Sequence, residues 1–441
     1  MTILLQIIAA LIFVTGNDTP QEAIFLEKLD AYLTTLATDE NFGLSIVIAK
    51  EGENVLQKSY GFANREHRVP NRLDTKFNIA SIGKLFTAVA ILQLREQGKI
   101  DLNQTLGSYL PDFPNQFMRD SITIQQLLTH TSGLPLWFHD DFDREPKFEY
   151  VVLSDYLPLY EEISIDKNKI GKHSYSNVGF ISLGFVIEAV SKLAYRDYLI
   201  KHIFEPLAMK ETDLWRLTEV IPNAAVGYVR PSSPDDWWKT NYHLNKGSSP
   251  AGGAYSSPRD LAAFYHGLMK SKILSRESWE LMIRPQTETA YGEYGYGIGI
   301  SKNHEHTMIG HLGGYYGIRG ELMWYKDSNY VVAILANSDQ TDYVDVSYFI
   351  KTHLTGSEEE KQAHSRTLAL IDLIDFDTEK TTEEFETWRD AGNVDEALIQ
   401  IKGYYHFNNQ HYDKAKRLFA LNYQLFPDSE SAKRDVGMIK D

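Results

Sequence analysis

The segment Ser81-Ile82-Gly83-Lys84, which runs directly into Leu85-Phe86-Thr87-Ala88-Val89-Ala90-Ile91-Leu92, decides the fold of this chain. Helical spacing places the Ser81 hydroxyl and the Lys84 amine on one face, one turn apart. The residues that follow are apolar almost all round, so we expect a buried helix that holds its first turn rigidly. Its N-terminal N–H groups favour negative charge beside Ser81. The segment therefore predicts a serine nucleophile that is activated by a lysine.

The S-x-x-K spacing occurs a second time, and the sequence context separates the two copies. Ser164-Ile165-Asp166-Lys167 is followed by polar, glycine-containing sequence, which indicates a solvated loop. For Ser81 the alternative is a helix N-cap serine with a surface lysine. An N-cap does not need a lysine at that spacing in front of a fully apolar helix, so we favour the catalytic interpretation.

Two later segments supply further polar residues that could join Ser81 and Lys84 in one site. Tyr175-Ser176-Asn177 stands at the end of a short polar stretch, before a helix-like segment at 178–187. Gly310-His311-Leu312-Gly313-Gly314-Tyr315-Tyr316-Gly317 precedes a predicted hairpin with strands at 320–325 and 330–336. Another hairpin is predicted near the N-terminus, with strands at 43–49 and 54–60.

The ordered S-x-x-K, Y-x-N and H-x-G boxes resemble those of the serine β-lactamase and penicillin-binding protein superfamily. The similarity is greatest to its class C β-lactamase, D-Ala-D-Ala carboxypeptidase and esterase branch, and it covers residues 22–355. Four further stretches look similar to that branch: 43–49, 127–134, 203–209 and 250–257. The resemblance implies an α+β fold, with an antiparallel sheet flanked by helices and a helical subdomain between about 85 and 290. The two ends of the region would build the sheet.

The resemblance also implies catalytic roles for individual residues. Ser81 would attack a carbonyl carbon and become acylated. Either Lys84 or Tyr175 would take the serine proton, and the sequence leaves both open. Tyr175 would pass a proton to the leaving group, and Asn177 would orient Lys84 and bind the substrate amide. The backbone N–H groups of Ser81 and Gly314 would form the oxyanion hole.

The H-x-G box departs from the usual pattern on the substrate-binding side. His311 stands where most β-lactamases have lysine, and a histidine is at most partly charged near neutral pH. Leu312 stands where a hydroxyl residue is common, and leucine cannot bind a substrate carboxylate. Gly313 completes the box, and Arg319 is either a substitute cation or a sheet-edge arginine. These departures indicate an esterase or D-amino-acid peptidase rather than a dedicated β-lactamase.

Other conspicuous residues have simpler interpretations. His130 lies in a turn of family-like sequence, and we expect a structural role for it. His304-Glu305-His306 has no third ligand at suitable spacing, so we predict a solvated loop and no metal site. Trp237-Trp238 and the segment 291–299 would either line an aromatic cleft or pack under loops. No cofactor is expected.

Composition excludes several function classes. The 441 residues are 43% hydrophobic and 24% charged, as in a large globular chain of two domains. A net charge of −16 disfavours nucleic acid and anionic membranes as partners. The chain has no cysteine, which excludes disulfides and a thiol nucleophile.

The N-terminal segment indicates where the protein is located. Residues 3–14 are apolar except for Gln6, a length typical of a signal-peptide core. We predict a signal peptide at 1–16 and a periplasmic or secreted protein. No basic residue precedes Lys28, so an apolar leader or amphipathic first helix is the alternative.

The chain changes character after Gly356. The charged segment 357–361 indicates a solvated break, and helix-like stretches follow at 361–374, 380–391, 393–407 and 410–425. A set of residues in the tail resembles the pattern of a tetratricopeptide helical pair: Ala397, Gly403 and Tyr404, followed by Tyr412, Ala415, Leu418, Phe419 and Pro427. We expect the tail, 357–441, to pack on the catalytic domain or to cap a short helical array. A module that binds a protein partner and a plain helical hairpin are equal alternatives.

These observations predict a serine hydrolase that forms an acyl-enzyme on Ser81. Its substrate would be a small molecule or peptide that contains an ester, an amide or a β-lactam. The alternative is a catalytically weak, hydrolase-like binding protein that acts through its C-terminal helices. The intact set of Ser81, Lys84, Tyr175 and Asn177 argues against that alternative.

Overall fold

The computed structural model describes residues 20–39, 42–142, 145, 149–216, 218–229, 239–242, 248–338, 342–373, 378–390, 394–408 and 411–437. The predicted leader at 1–16 and the Trp237-Trp238 pair lie outside these residues. The strands are β1 (Leu44–Lys50), β2 (Glu53–Tyr60), β3 (Phe62–Asn64), β4 (Val69–Pro70), β5 (Phe77–Asn78), β6 (Tyr228–Val229), β7 (Lys239–Thr240), β8 (Tyr255–Ser256), β9 (Thr287–Thr289), β10 (Gly292–Tyr294), β11 (Gly299–Asn303), β12 (His306–Tyr315), β13 (Ile318–Tyr325) and β14 (Tyr330–Ala336).

The α-helices lie around these strands and are numbered in chain order. They are α1 (Pro20–Leu36), α2 (Lys84–Glu96), α3 (Gln116–Ser121), α4 (Ile124–Leu128), α5 (Asn177–Ser191), α6 (Tyr195–Leu199), α7 (Pro258–Met269), α8 (Arg276–Met282), α9 (Asp342–Thr355), α10 (Glu358–Leu373), α11 (Thr378–Asp390), α12 (Glu396–Asn408), α13 (Tyr412–Leu425) and α14 (Glu430–Gly437). Short 3₁₀ segments include Ala80–Gly83 and Leu153–Tyr160.

An eight-stranded antiparallel sheet forms the centre of the fold, in the order β2-β1-β14-β13-β12-β11-β10-β9. Every residue of β14 is buried, because helices cover both faces of the sheet there. Strand β1 pairs with β14, with Ser45 opposite Leu335. The two ends of the catalytic region therefore meet in one sheet, which confirms the predicted α+β architecture.

Helices pack on both faces of this sheet. On one face, α7 contacts β1 and β14. Helix α2 packs behind α7: it is buried from Lys84 to Leu94, and its Phe86 contacts Phe264 of α7 and Phe204. On the other face, α1 and α9 form a separate apolar cluster in which Phe25 packs on Tyr330. The buried α2 fixes the position of the Ser81 segment, as the sequence predicts.

The C-terminal helices begin without an extended linker. Ser357 Oγ accepts the Glu360 N–H at 3.2 Å, and Glu360 Oε2 accepts the Ser357 N–H at 2.8 Å. This reciprocal cap starts α10 with only Gly356 and Ser357 between it and the end of α9. The acidic residues of the segment 357–361 are exposed, as predicted, but they form the first turn of a helix instead of a break. Helix α14 is an element that the sequence did not predict.

The tail packs on the catalytic region, which was one of its predicted alternatives. Lys402 of α12 forms an ion pair of 2.7 Å with Asp345 of α9. Tyr405 donates a hydrogen bond to Asp39 at 3.0 Å and joins the apolar cluster beneath α9. Within the tail, a Cβ at Gly403 would lie 2.5 Å from Phe419, so α12 and α13 pack closely. The tetratricopeptide resemblance stays a prediction.

Within the described ranges, no single helix has both the length and the hydropathy to cross a membrane. Only α5 and the segment Tyr195–Leu207 reach that threshold together, with a bend of 76° between them.

Candidate active site

A close approach of two backbone segments sets the position of Ser81. The residue lies in the 3₁₀ turn Ala80–Gly83, where Ala80 has a φ of 43° and donates its N–H to Asn78 Oδ1 at 2.9 Å. Gly252 packs against this turn with a φ of 138°, and a Cβ there would lie 2.2 Å from the Ala80 carbonyl oxygen. Only glycine fits both the conformation and the space.

Lys84 is the buried cation of the site, and its side chain is fully enclosed. Its Nζ lies 3.1 Å from Ser81 Oγ, 2.7 Å from Asn177 Oδ1 and 2.5 Å from the Ala251 carbonyl oxygen. It also lies 4.9 Å from the centre of the Tyr175 ring. These acceptors and the ring offset the cost of burying the amine. The predicted contacts of Lys84 with Ser81 and Asn177 are thus present.

Tyr175 is held against Ser81 by packed rings. Its ring centre lies 4.2 Å from that of His130 and 6.3 Å from that of His311. Burial raises the pKa of the Tyr175 phenol, although a hydrogen bond with Ser81 opposes this shift. The phenol therefore keeps its proton near neutral pH in the unliganded site.

His130 contacts Tyr175 without supplying a second acid or base. Its Nδ1 accepts the Ser176 N–H at 3.1 Å, and the side chain is fully buried. Burial and the Lys84 charge lower the pKa of His130, so the ring is neutral. This placement is that of a positioning residue, in keeping with the structural role predicted for it.

His311 is buried on β12 and carries no charge at neutral pH. Its Nδ1 donates to the Leu312 carbonyl oxygen at 2.6 Å, since a carbonyl only accepts, and Nε2 accepts the Tyr294 hydroxyl at 3.2 Å. Burial, with a contribution from the Lys84 charge, lowers the pKa of His311 to about 4. The expected partial positive charge is therefore absent, because burial favours the neutral ring.

A cavity of about 230 Å³ lies over Ser81, and Tyr175, Asn177 and Gly314 contribute to its wall. Strand β12 is pressed onto the serine turn, because a Cβ at Gly313 would lie 2.3 Å from the Ile79 carbonyl oxygen. This contact brings Gly314 to the same wall as Ser81. The two residues predicted for the oxyanion hole therefore face one cavity.

The residues predicted to bind the substrate do not line this cavity. They are His311, Leu312, Gly313 and Arg319. The Leu312 side chain is 51% exposed, and strand alternation directs it away from the face that His311 uses. Arg319 Nη1 donates to the carbonyl oxygens of Tyr315 at 2.7 Å and Ile318 at 2.8 Å. This guanidinium holds the β12–β13 turn.

One wall of the cavity is apolar and was not predicted from the sequence. Leu136, Trp137, Phe142, Tyr156 and Ile318 form it. Leu136 and Trp137 follow the family-like stretch 127–134 after Pro135, and this proximity in sequence is the signal that pointed to them.

The hydrogen bond from Lys84 to the Ala251 carbonyl oxygen was not predicted either, although residue 251 lies in the family-like stretch 250–257. Thr87 Oγ1 donates to the neighbouring Pro250 carbonyl oxygen at 2.6 Å and ties this stretch to α2.

The remaining polar candidates lie elsewhere. His304 Nε2 contacts Glu360 Oε2 at 2.8 Å, and both side chains are about half exposed. Among the residues that the structure describes, no three His, Asp or Glu side chains converge in a way that could hold a metal ion. In the segment 291–299, Tyr294 packs on His311 and Tyr291 is exposed, so this segment does not line the cavity.

Comparison with known proteins places this geometry in a family. The Beta-lactamase family model matches residues 29–354. The chain belongs to the Beta-lactamase family. Penicillin-binding protein PbpX of Bacillus subtilis (strain 168) is 31% identical over 273 residues, which are 60% of this chain and 64% of PbpX. The match thus spans less than two thirds of that relative.

Two solved structures have a similar fold. The penicillin binding protein from Bacillus halodurans is 31% identical with a TM-score of 0.65, over 73% of this chain and 99% of that one. D-amino acid amidase from Ochrobactrum anthropi SV3 is 23% identical with a TM-score of 0.64, over 75% of this chain and 97% of that one. The likeness to the amidase concerns the fold alone.

Proposed function

We propose that this Beta-lactamase-family protein is a serine hydrolase that forms an acyl-enzyme on Ser81. The observation that carries the proposal is the buried Lys84 amine, 3.1 Å from the Ser81 hydroxyl and fixed by two carbonyl oxygens. A serine with a surface lysine would not need this enclosure. A nucleophile and base within hydrogen-bond reach, with the base oriented by a third group, is the usual arrangement of an activated serine.

The partners of Lys84 support a role as the first proton acceptor. The Asn177 and Ala251 oxygens accept hydrogen bonds only, so they hold the charged Lys84 amine and also the deprotonated form that takes up the serine proton. Its lone pair then faces Ser81 Oγ. Ser81 transfers its proton to this lone pair as Oγ attacks the substrate carbonyl carbon. Tyr175 keeps its own proton until the leaving group needs it.

The later steps use the same groups. The N–H groups of Ser81 and Gly314 stabilise the oxyanion, and Tyr175 gives its proton to the departing nitrogen or oxygen. The bond from the carbonyl carbon to the leaving group breaks, which leaves the acyl group on Ser81. Tyr175 then takes a proton from water, and the hydroxide formed releases the acid product. Lys84 returns the first proton to Ser81.

The cavity favours substrates without a free carboxylate. Among the described residues of its wall there is no Lys, Arg or His. His311 lies outside this wall and is neutral, so it supplies no charge either. A carboxylate would leave water without a charged partner, which is unfavourable. We therefore place uncharged esters and amides ahead of nitrocefin and of peptides that end in free D-Ala.

The binding-protein alternative would need a free face on the C-terminal helices. In the described part of the tail, α12 uses Lys402 and Tyr405 against the catalytic region. No contact of the described residues favours this alternative.

Export to the periplasm or the exterior belongs to the proposal and is supported by the apolar segment at 3–14.

Covalent labelling tests the proposed function directly. After exposure to a fluorophosphonate or a penicillin, intact-mass and peptide spectrometry should place an adduct on Ser81. Ser81→Ala should show no adduct and no hydrolysis in a screen of p-nitrophenyl esters, D-amino-acid amides, D-Ala-D-Ala peptides and nitrocefin. Lys84→Arg keeps the charge but cannot accept a proton, and it should lose acylation as well. Hydrolysis retained by Ser81→Ala would refute the proposal.

A further inference from the structure

A short turn of residues 249–252 contacts both the proposed nucleophile and the proposed base. Two backbone hydrogen bonds of 2.7 and 2.9 Å between its end residues close this turn. Gly252 packs against the Ser81 turn, and the Ala251 carbonyl oxygen lies 2.5 Å from Lys84 Nζ. The turn lies outside the named helices and strands. Contacts with neighbouring elements must therefore fix the position of its carbonyl oxygens.

Thr87 of α2 supplies one of these contacts. Its hydroxyl donates to the Pro250 carbonyl oxygen at 2.6 Å, and the Thr87 side chain is fully buried. Thr87 is the only polar residue in the apolar run 85–92. A threonine inside a helix usually points its hydroxyl to solvent or to a carbonyl of the preceding turn. Here the hydroxyl proton goes to another segment, so Thr87 links α2 to the turn 249–252.

Tyr195, at the start of α6, holds the Thr87 hydroxyl from the other side. The two hydroxyl oxygens lie 2.6 Å apart. Thr87 has a single hydroxyl proton, and the Pro250 carbonyl oxygen can only accept, so Tyr195 donates to Thr87. Tyr195 is itself buried, and its N–H donates to Glu188 Oε1 at 2.8 Å. The directions of both hydroxyl hydrogen bonds are therefore fixed.

The hydrogen bond from Thr87 also restricts the next carbonyl along the chain. The peptide group between residues 250 and 251 is planar, so holding the Pro250 carbonyl oxygen sets the orientation of that plane. The Pro250 ring restricts the backbone before it. Only the two torsions of Ala251 then separate this plane from the oxygen that accepts the Lys84 hydrogen bond.

We propose that Thr87 is a positioning residue for the proposed general base. Through the adjacent peptide it fixes the Ala251 carbonyl oxygen, which holds the Lys84 amine within hydrogen-bond distance of Ser81. Tyr195 orients the Thr87 hydroxyl for this contact. The inference rests on the proposed function and deepens it, because it names what sets the geometry of the first proton transfer.

This role predicts an effect on one kinetic step. Thr87, Tyr195 and Pro250 do not belong to the described wall of the cavity over Ser81. A loss of positioning should therefore slow acylation without weakening the binding of substrate. A threonine that only fills space beside the turn would leave both quantities unchanged.

Single-turnover acylation by p-nitrophenyl acetate tests the inference. With enzyme in excess, the limiting rate of p-nitrophenol release gives the acylation rate constant, and its dependence on enzyme concentration gives the dissociation constant of the ester. Thr87→Val keeps the branched shape but removes the hydroxyl. We expect it to slow acylation by roughly 10- to 100-fold and to leave the dissociation constant unchanged. Thr87→Ser keeps the hydroxyl and should recover most of the rate.

Further variants show whether the two residues act in series. Tyr195→Phe removes only the donor to Thr87, so we expect a smaller reduction in rate. Its combination with Thr87→Val should be no slower than Thr87→Val alone. The matched control is Ser182→Ala: Ser182 is fully buried on α5 and donates to the Tyr160 hydroxyl at 3.1 Å. No described hydrogen bond of Ser182 involves Lys84, so this variant should keep the acylation rate.

The outcomes distinguish this inference from the proposed function. A parent rate of acylation in folded Thr87→Val, with Ser81→Ala inactive, overturns the inference alone. Equal slowing by Thr87→Val and Thr87→Ser, or by Ser182→Ala, overturns it as well. If Thr87→Val does not fold, a parent rate in Tyr195→Phe overturns it. A parent protein with neither a fluorophosphonate label on Ser81 nor Ser81-dependent ester cleavage overturns the proposed function, and the inference with it.

Discussion

Replacing Lys402 with methionine tests whether the C-terminal helices are an integral part of the catalytic body. The Lys402 Nζ lies 2.7 Å from Asp345 Oδ2, and the two side chains are 8% and 0% exposed. The Tyr32 hydroxyl donates to the other carboxylate oxygen at 2.7 Å. The Lys402→Met side chain fills a similar volume but removes the charge, so a buried carboxylate loses its counter-ion.

The expected loss follows from this burial. Removing one partner of a buried ion pair costs about 3–5 kcal/mol, because the remaining charge is uncompensated. The Tyr32 hydrogen bond persists, so we expect about 3 kcal/mol, a large share of the stability of a folded protein. Lys402→Met combined with Asp345→Asn removes both charges and should recover most of this loss.

Urea unfolding, followed by tryptophan fluorescence and by circular dichroism, measures these changes. The matched control is Lys361→Met, which breaks the solvent-exposed pair of 2.9 Å with Glu358 and should change the stability far less than Lys402→Met does. Fluorophosphonate labelling of Ser81 should stay stoichiometric in folded Lys402→Met. A loss as small as that of the control, or a double variant less stable than the single one, would refute the reasoning.

The remaining predictions concern the site, its pH dependence and the tail. Gly252→Ala should lower kcat/KM by about 10²-fold, because the new Cβ displaces the Ser81 turn; Gly98→Ala, which also has a positive φ but meets nothing within 4 Å, is the control. In matched kcat/KM assays the amide or ester should be preferred over the free acid, because the described wall of the cavity holds no cation; a parent enzyme that prefers the free acid contradicts this. The pKa of His311 is about 4 in the fold and about 6.5 when unfolded, so its contribution to stability is complete above pH 6.5 and falls by about 2 kcal/mol from pH 7 to pH 5. Urea unfolding at both pH values should show a smaller fall for His311→Gln. A chain that ends at Gly356 should still be labelled on Ser81 but should melt at a lower temperature, since it leaves Asp345 without Lys402; an unchanged melting temperature would contradict the tail contact.

The sequence by itself determined the features that depend on neighbours along the chain. The apolar run after Lys84 predicts a buried helix, and the alternation and turns near 50 and 327 predict the two hairpins that β1–β2 and β13–β14 form. Strand and helix periodicity are local properties, so they can be read without the tertiary fold. The order of the three boxes then identified the family, which the comparisons confirm.

The tertiary structure decided the chemistry of each group. Asn177 and Ala251 lie 93 and 167 residues from Lys84 along the chain, yet both accept its hydrogen bonds. The neutrality of His311 depends on burial and on Lys84, and the apolar wall comes from segments scattered between 136 and 318. Protonation and pocket shape follow from what surrounds a side chain in space, and only the packed fold determines those neighbours.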